Sequence, residues 1–196
     1  SNEKIIAGEK NVLWPGVPIY FCKTSGTTSG TKYIPISKES MPNHIKSAQE
    51  AILCYMEETG DFSIVNGKMI FLQGSPVLTK TGEILTGRLS GIVAHHVPKY
   101  LTKNRLPSFE TNCIEEWEKK VDNIVEETIN ENMSIISGIP PWVQMYFEKL
   151  YTKTNKKIGA LFPSFNLFIY GGVNFQPYKE SFKKLVGKNV SGVELY

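Results

Sequence analysis

Residues 166–196 read NLFIYGGVNFQPYKESFKKLVGKNVSGVELY. Asn166 to Tyr170 is a short apolar run that reads as a buried strand, and Gly171-Gly172 follows as a turn. Pro177 to Val186 reads as a short amphipathic helix with its lysines outside, stopped by Gly187. Val190 to Tyr196 reads as a second strand. Strand, helix, strand at this spacing is a βαβ unit with a parallel pair, so the class is α/β.

Upstream, the clearest helix is expected from about residue 113 to 136, with Asn112 and Glu115 as a capping pair. Ile114, Trp117, Val121, Ile124, Val125, Thr128, Ile129 and Ile136 form its apolar stripe, with Glu and Lys opposite. Gly138 ends it, and Pro140-Pro141 opens a second helix over about 141–152, so 112–152 is read as a helical segment. A helix is also expected over 40–58, from Ile45, Ala48, Ile52, Tyr55 and Met56 at helical spacing. Residues 68–73 (KMIFLQ) read as a buried strand, and 79–110 as irregular, punctuated by Gly82, Gly87, Gly91, Pro98 and Pro107.

The length of 196 residues corresponds to about 1.3 average domains. With 41% hydrophobic and 21% charged residues the chain can bury a sizeable core, which excludes a disordered protein. No run of 18 apolar residues exists, so no membrane span is expected. The net charge of +3 rests on 20 Lys and only two Arg, Arg88 and Arg105. Such a balance argues against a nucleic-acid surface, where fork-shaped Arg contacts are usual. Cys22, Cys54 and Cys113 are far apart and odd in number, which gives neither a zinc knuckle nor a disulfide framework. They are expected to be small buried hydrophobes in a reducing cytoplasm. Ser1-Asn2-Glu3-Lys4 begins no signal peptide.

The most informative ten residues are Lys23-Thr24-Ser25-Gly26-Thr27-Thr28-Ser29-Gly30-Thr31-Lys32. Two glycines let the backbone curl so that successive N–H groups converge on an anionic oxygen. Five hydroxyl side chains within 24–29 add donors that can reorient toward phosphate, and a lysine stands at either end. An apolar stretch precedes the loop and Tyr33-Ile34-Pro35-Ile36 follows it, which is not how a flexible linker is bracketed. A P-loop needs four residues between its glycines and Lys directly after the second; here three intervene and Thr31 precedes Lys32. The Rossmann fingerprint is absent as well.

This loop resembles the phosphate-binding motif of adenylate-forming enzymes, [ST]-S-G-T-[TS]-x-G-x-x-K, with one residue fewer before the lysine. Together with Asn11-Val-Leu-Trp-Pro15, Tyr33-Ile-Pro35 and Gly138-Ile-Pro-Pro-Trp142, it is similar to the auxin-responsive acyl acid amido synthetases. These are the plant jasmonate- and auxin-conjugating family with bacterial relatives. The resemblance runs from about residue 8 to the end of the chain. It implies part of the large N-terminal adenylating domain, a mixed or parallel sheet with flanking helices.

It further implies ATP and Mg²⁺ as cofactors, and a small carboxylic acid and an amino acid as substrates. An acyl adenylate forms first, and an amine then displaces AMP to give an amide. On this resemblance Thr24, Ser25, Gly26, Thr27, Thr28, Gly30 and Lys32 hold phosphate. Gly171 and Gly172 lie along the adenine, and Tyr196 would be the aromatic residue that packs on it. Ile139 and Trp142 line the acyl pocket. The family's metal-contacting Glu is expected beyond Tyr196, so no metal ligand is assigned in this chain. The mobile C-terminal domain is likewise expected to lie outside it, so the fragment alone is expected to be inactive.

The neighbouring His95-His96 pair points two ways in either regular structure and cannot easily share one metal. The Glu-rich face at 115–131 reads as solvated. The alternative function, from another class, is a non-catalytic module of degenerate adenylating fold that binds a nucleotide, a small acid or a partner. A kinase-like enzyme is disfavoured, because Asp61 and Asp122, the only aspartates, offer no recognisable pair.

Overall fold

A computed structural model describes residues 2–24, 31–97 and 102–195. Along the chain come α1 (Asn2–Ile6), β1 (Tyr20–Thr24), β2 (Lys32–Ile36), α2 (Met41–Thr59), a 3₁₀ turn (Ser63–Asn66) and β3 (Lys68–Leu72). Next are β4 (Thr79–Thr81), β5 (Ile84–Gly87), α3 (Leu89–Ala94), β6 (Arg105–Leu106), α4 (Phe109–Cys113) and α5 (Trp117–Thr128). The last part holds β7 (Met133–Gly138), α6 (Pro140–Thr154), α7 (Ile158–Leu161), β8 (Leu167–Gly171), a 3₁₀ turn (Gln176–Tyr178), α8 (Lys179–Val186) and β9 (Ser191–Leu195). The chain divides into two units, residues 1–49 with 74–98 and residues 50–73 with 99–196.

Unit 1 is built on a four-stranded sheet in the order β2-β1-β5-β4. β1 pairs antiparallel with β2 and parallel with β5, and β5 pairs antiparallel with β4. Successive residues of β1 serve opposite faces, as the period of a strand requires. Phe21 packs with Ile5 and Ile84 on one side, while Cys22 packs with Ile36, Met41 and Ile92 on the other.

Unit 2 carries a five-stranded sheet, β6-β3-β7-β8-β9, in which every pairing is parallel. Its central strands are covered on both faces, so they read as unbroken apolar runs rather than alternating ones. Ile70, Leu72, Ile136 and Phe168 lie in one core cluster with Val121, Ile124 and Val125 of α5, Val143, Tyr146, Phe147 and Leu150 of α6, and Phe182 of α8. Met69, Ile135, Leu167 and Ile169 pack with Tyr55 and Ile64 in another. The chain runs from β3 to β6 at one side of the sheet and from β7 through β8 to β9 at the other. The strand order therefore reverses between β3 and β7, and in open α/β sheets ligands bind at the carboxyl ends of strands at such a point.

The α/β class, the mixed and parallel sheets and the flanking helices agree with the sequence expectation. The helical segment at 112–152 needs correction. The long helix spans only Trp117–Thr128, and 133–136 belongs to β7, the middle strand of the parallel sheet. Ile136 happened to continue the helical period, but Ile135 and Ile136 are β-branched residues that fill opposite faces of a central strand.

Asn112 and Glu115 do not cap that helix either. Ser108 caps α4, its side chain accepting from Thr111 N at 3.2 Å. Ser108 N, Ser108 Oγ and Thr111 Oγ1 all donate to the Glu127 carboxylate, at 2.6, 2.7 and 2.5 Å, so the Glu-rich face is not wholly solvated. Residues 79–110 contain β4, β5, α3 and β6, elements too short to show a period. All three cysteines are free; Cys22 is buried, Cys113 half-buried, and Cys54 exposed, against expectation.

Candidate functional site at the carboxyl ends of the strands

In unit 1 the 24–32 segment is the connection of an antiparallel hairpin. Thr24 is the register partner of Lys32, the last pair before the turn. Direct partners in such a pair lie about 4.5–5.5 Å apart at Cα and share a face of the sheet. Thr24 is half-buried and Lys32 exposed, so a hydroxyl and an ammonium stand side by side at the loop mouth. Lys23 lies on the opposite face, where its Nζ donates to Thr79 Oγ1 at 3.2 Å. The expectation of a lysine at either end of the loop is met in sequence, but only Lys32 shares the face of Thr24. Ser25, Gly26, Thr27, Thr28 and Gly30 lie outside the described residues.

In unit 2 the parallel register brings several selected positions to one edge. Leu72 pairs with Gly138 and Gly171 with Leu195, so β3, β7, β8 and β9 end together. Ile139 follows Gly138 and is the N-cap of α6, with Pro140 opening the helix as Pro does at a first turn. Gly171 is pressed against β9: a Cβ there would lie 2.2 Å from Leu195 O. Gly172 has φ +79°, a left-handed conformation open to glycine, and a Cβ there would meet Ile139 Cγ2 at 3.3 Å. The edge of β8 is thus bare backbone beside an aliphatic side chain. Both glycines are therefore close-packed, Gly171 against the main chain of β9 and Gly172 against Ile139. Tyr196 lies outside the described residues.

Trp142, one turn after Ile139, stacks on Trp117 with ring centroids 4.3 Å apart and planes inclined by 28°. Trp117 Nε1 donates to Met145 Sδ at 2.9 Å. Trp117 was read only as a core position; its partnership with Trp142 is a long-range packing event with no local signature.

Lys120 was also missed, although its place three residues after Trp117 and four before Ile124 puts it on the apolar stripe. It is 2% exposed. Its Nζ donates to Gln73 O at 3.0 Å and Asn112 O at 2.6 Å, and burial pulls its pKa down to about 8.

Among the described residues no group of three or more His, Cys, Asp or Glu is placed to hold a metal. His95 Nε2 is bonded to Pro76 O at 2.8 Å and His96 Nε2 to Tyr20 OH at 2.9 Å. The two aspartates are separately engaged. Asp61 accepts from Ser63 N, Ser63 Oγ, Tyr55 OH and Asn166 Nδ2, bonds that hold its carboxyl below the usual range, while Asp122 pairs with Lys149.

The family model for the GH3 family N-terminal domain matches residues 2–108 and 81–190. A comparison with curated proteins found no match. Among solved structures, the AtGH3.15 acyl acid amido synthetase in complex with 2,4-DB superposes with a TM-score of 0.71 at 11% identity. That match covers 98% of this chain and 43% of the other. A second structure of GH3.15 acyl acid amido synthetase gives 0.70 at 11% identity, covering 98% and 44%. The likeness at this identity is one of fold, and the chain spans less than half the length of these structures. Among the described residues no helix is long and apolar enough to cross a membrane. The family expected from the loop and its companion motifs is the family found: the chain belongs to the GH3 family and has the fold of its N-terminal domain.

Proposed function

We propose that this chain supplies nucleotide- and acid-binding elements of an ATP-dependent acid–amino acid ligase that works through an acyl adenylate. The observation that carries this reading is the shared edge of unit 2. Ile139, Gly171 and Gly172 lie at the carboxyl ends of parallel strands, beside the reversal of strand order, and Trp142 follows in the first turn of the helix that Ile139 caps. On this reading the acid and the purine ring bind at that edge.

In the first half-reaction a carboxylate oxygen of the acid attacks the α-phosphorus of ATP, and pyrophosphate leaves. Thr24, Lys32 and the loop between them bind the β- and γ-phosphates, and donors aimed at that leaving group offset its developing charge. In the second half-reaction an amino group attacks the acyl carbonyl, AMP departs with the bonding pair, and the amine loses a proton. Mg²⁺ adds Lewis-acid assistance to the phosphates when bound. The described residues offer it no carboxylate set.

Pyrophosphate exchange into ATP by the full-length gene product, run with a panel of carboxylic acids, tests the reading. Exchange that depends on one acid supports it. No exchange together with no ATP binding favours a non-catalytic module. Gly26→Val is expected to abolish nucleotide binding while the thermal midpoint stays put, because a β-branched residue removes the backbone freedom that the phosphate-loop reading requires of glycine. Undiminished binding by that variant would sink the phosphate-loop assignment.

A further inference from the structure

Gln73 directly follows β3, one position beyond the Leu72–Gly138 pair and therefore alongside Ile139 at the same edge. It is 7% exposed and is gripped at both ends. Its main-chain carbonyl accepts from Lys120 Nζ, and its Oε1 accepts from Arg105 Nη2 at 3.0 Å. Arg105, one of two arginines in the chain, also lies over the Phe71 ring, 5.1 Å from its centroid. Neither cation forms an ion pair among the described residues. Two partly or fully buried positive charges thus converge on one residue, Lys120 on its main-chain carbonyl and Arg105 on its side-chain amide, with no carboxylate among the described residues to balance them. Burial disfavours each charge, and an arrangement of that kind favours an incoming anion.

The bond from Arg105 also decides which way the amide faces. A guanidinium can only donate, so Oε1 must be the atom beside it and Nε2 must point away. No described residue accepts from that Nε2. The one fully buried side-chain polar atom without a partner among the described residues is Asn112 Oδ1, so Nε2 is not sealed inside the protein. Its two N–H donors stay available, polarised by the cation on the other end of the amide, on a residue whose main chain stands level with Ile139.

We propose that Gln73 is an acid-binding residue: its Nε2 donates to a carboxylate oxygen of the substrate acid, with Arg105 as the positioning residue that fixes the side-chain amide and Lys120 as the one that fixes the main chain. The assignment rests on the ligase reading above and names how that site holds the charged end of an acid whose apolar part meets Ile139 and Trp142. A purely structural clamp would make the same bonds, so the test needs a readout that a clamp would not move.

The experiment is acid-dependent pyrophosphate exchange by the full-length gene product, with KM measured separately for the acid and for ATP. Gln73→Glu is nearly isosteric and can ion-pair with Arg105, so it should fold; it is expected to raise the acid KM tenfold or more with ATP KM within about twofold. Gln73→Leu should raise the acid KM alone as well. Arg105→Met should do likewise, and the Arg105→Met/Gln73→Leu double variant should be no worse than Gln73→Leu, because one partner acts through the other. An unchanged acid KM in Gln73→Glu, or equal rises for acid and ATP, overturns the assignment while the ligase reading stands. Absence of exchange by the unaltered protein with every acid overturns both.

Discussion

The two units finish their strands in different ways. In unit 2, β8 and β9 run parallel and stop at Gly171 and Leu195, where bare backbone forms the surface and a Cβ would strike a carbonyl. In unit 1, β1 turns back through a hairpin, and the mouth is made of side chains, Thr24 beside Lys32. The first edge is a shape, and cannot be altered without moving a strand. The second is a set of hydroxyl and ammonium groups, and each can be removed singly. One edge is thus set by main-chain packing and the other by side chains.

The contrast extends to the cores, and the largest expected effect probes it. Phe147 and Phe21 are both fully buried. Phe147 meets the rings of Tyr146, Phe165 and Phe182, whereas Phe21 meets Tyr33. Phe147→Ala should cost about 3–5 kcal/mol in urea denaturation followed by tryptophan fluorescence, and Phe21→Ala less, since fewer aromatic contacts are lost. Equal losses would break the contrast between the cores.

Next in size comes the edge itself. Gly171→Ala should cost about 1–3 kcal/mol, because Leu195 O must give way, and nucleotide binding should fall with it. Thr24→Ala should change stability by only about 0.5 kcal/mol and weaken binding alone. Paired calorimetric titrations with ATP and thermal melts would separate the two behaviours; a harmless Gly171→Ala would show that β9 yields easily.

Smaller effects follow from titration. Burial alone would raise the Glu127 pKa, but the bonds from Thr111 and Ser108 outweigh it and the carboxyl lies below its ordinary value. A depressed folded pKa gives stability that is present above the unfolded value and lost as pH falls through the folded one. The stability gap between the parent protein and Glu127→Gln should therefore close on acidification, as equilibrium denaturation across about pH 2 to 7 would record.

Lys120 works in the other direction. Its pKa falls from the ordinary 10.5 to about 8 through burial, so below about 8 both states are protonated and the full cost of the buried charge is present. Between those values the unfolded chain holds more protons than the folded one, and stability rises with pH. Relative to Lys120→Met, the parent should gain stability across that alkaline window, and a flat difference would mean that the ammonium is not desolvated.

Much of unit 2 was legible. The run 166–196 announced its βαβ unit because β8, covered on both faces, is continuously apolar, and α8 carries its lysines outward. The extension of a helix through 133–136 failed for the same reason: a buried strand and a buried helix face look alike over four residues, and only pairing with β3 and β8 decides between them. Short elements such as β4 and β6 exist because neighbours hold them, so no local pattern betrays them. Of the site, the glycines and Ile139 could be chosen from motifs, whereas Trp117, Arg105 and Gln73 enter through contacts 25 or more residues distant in sequence, which leave no local mark.

The sequence by itself determined the class, the family and the glycine, hydroxyl and lysine make-up of the 24–32 loop. Those depend on residue type and close spacing, where backbone freedom, hydroxyl donors and charge are properties of neighbours along the chain. Tertiary structure alone decided that four strands end at a common edge, that Lys23 turns away from Lys32, and that two cations without carboxylate partners among the described residues grip the two ends of Gln73. Each of those is set by register and burial, which arise only when distant segments compete for the same space and the same hydrogen bonds.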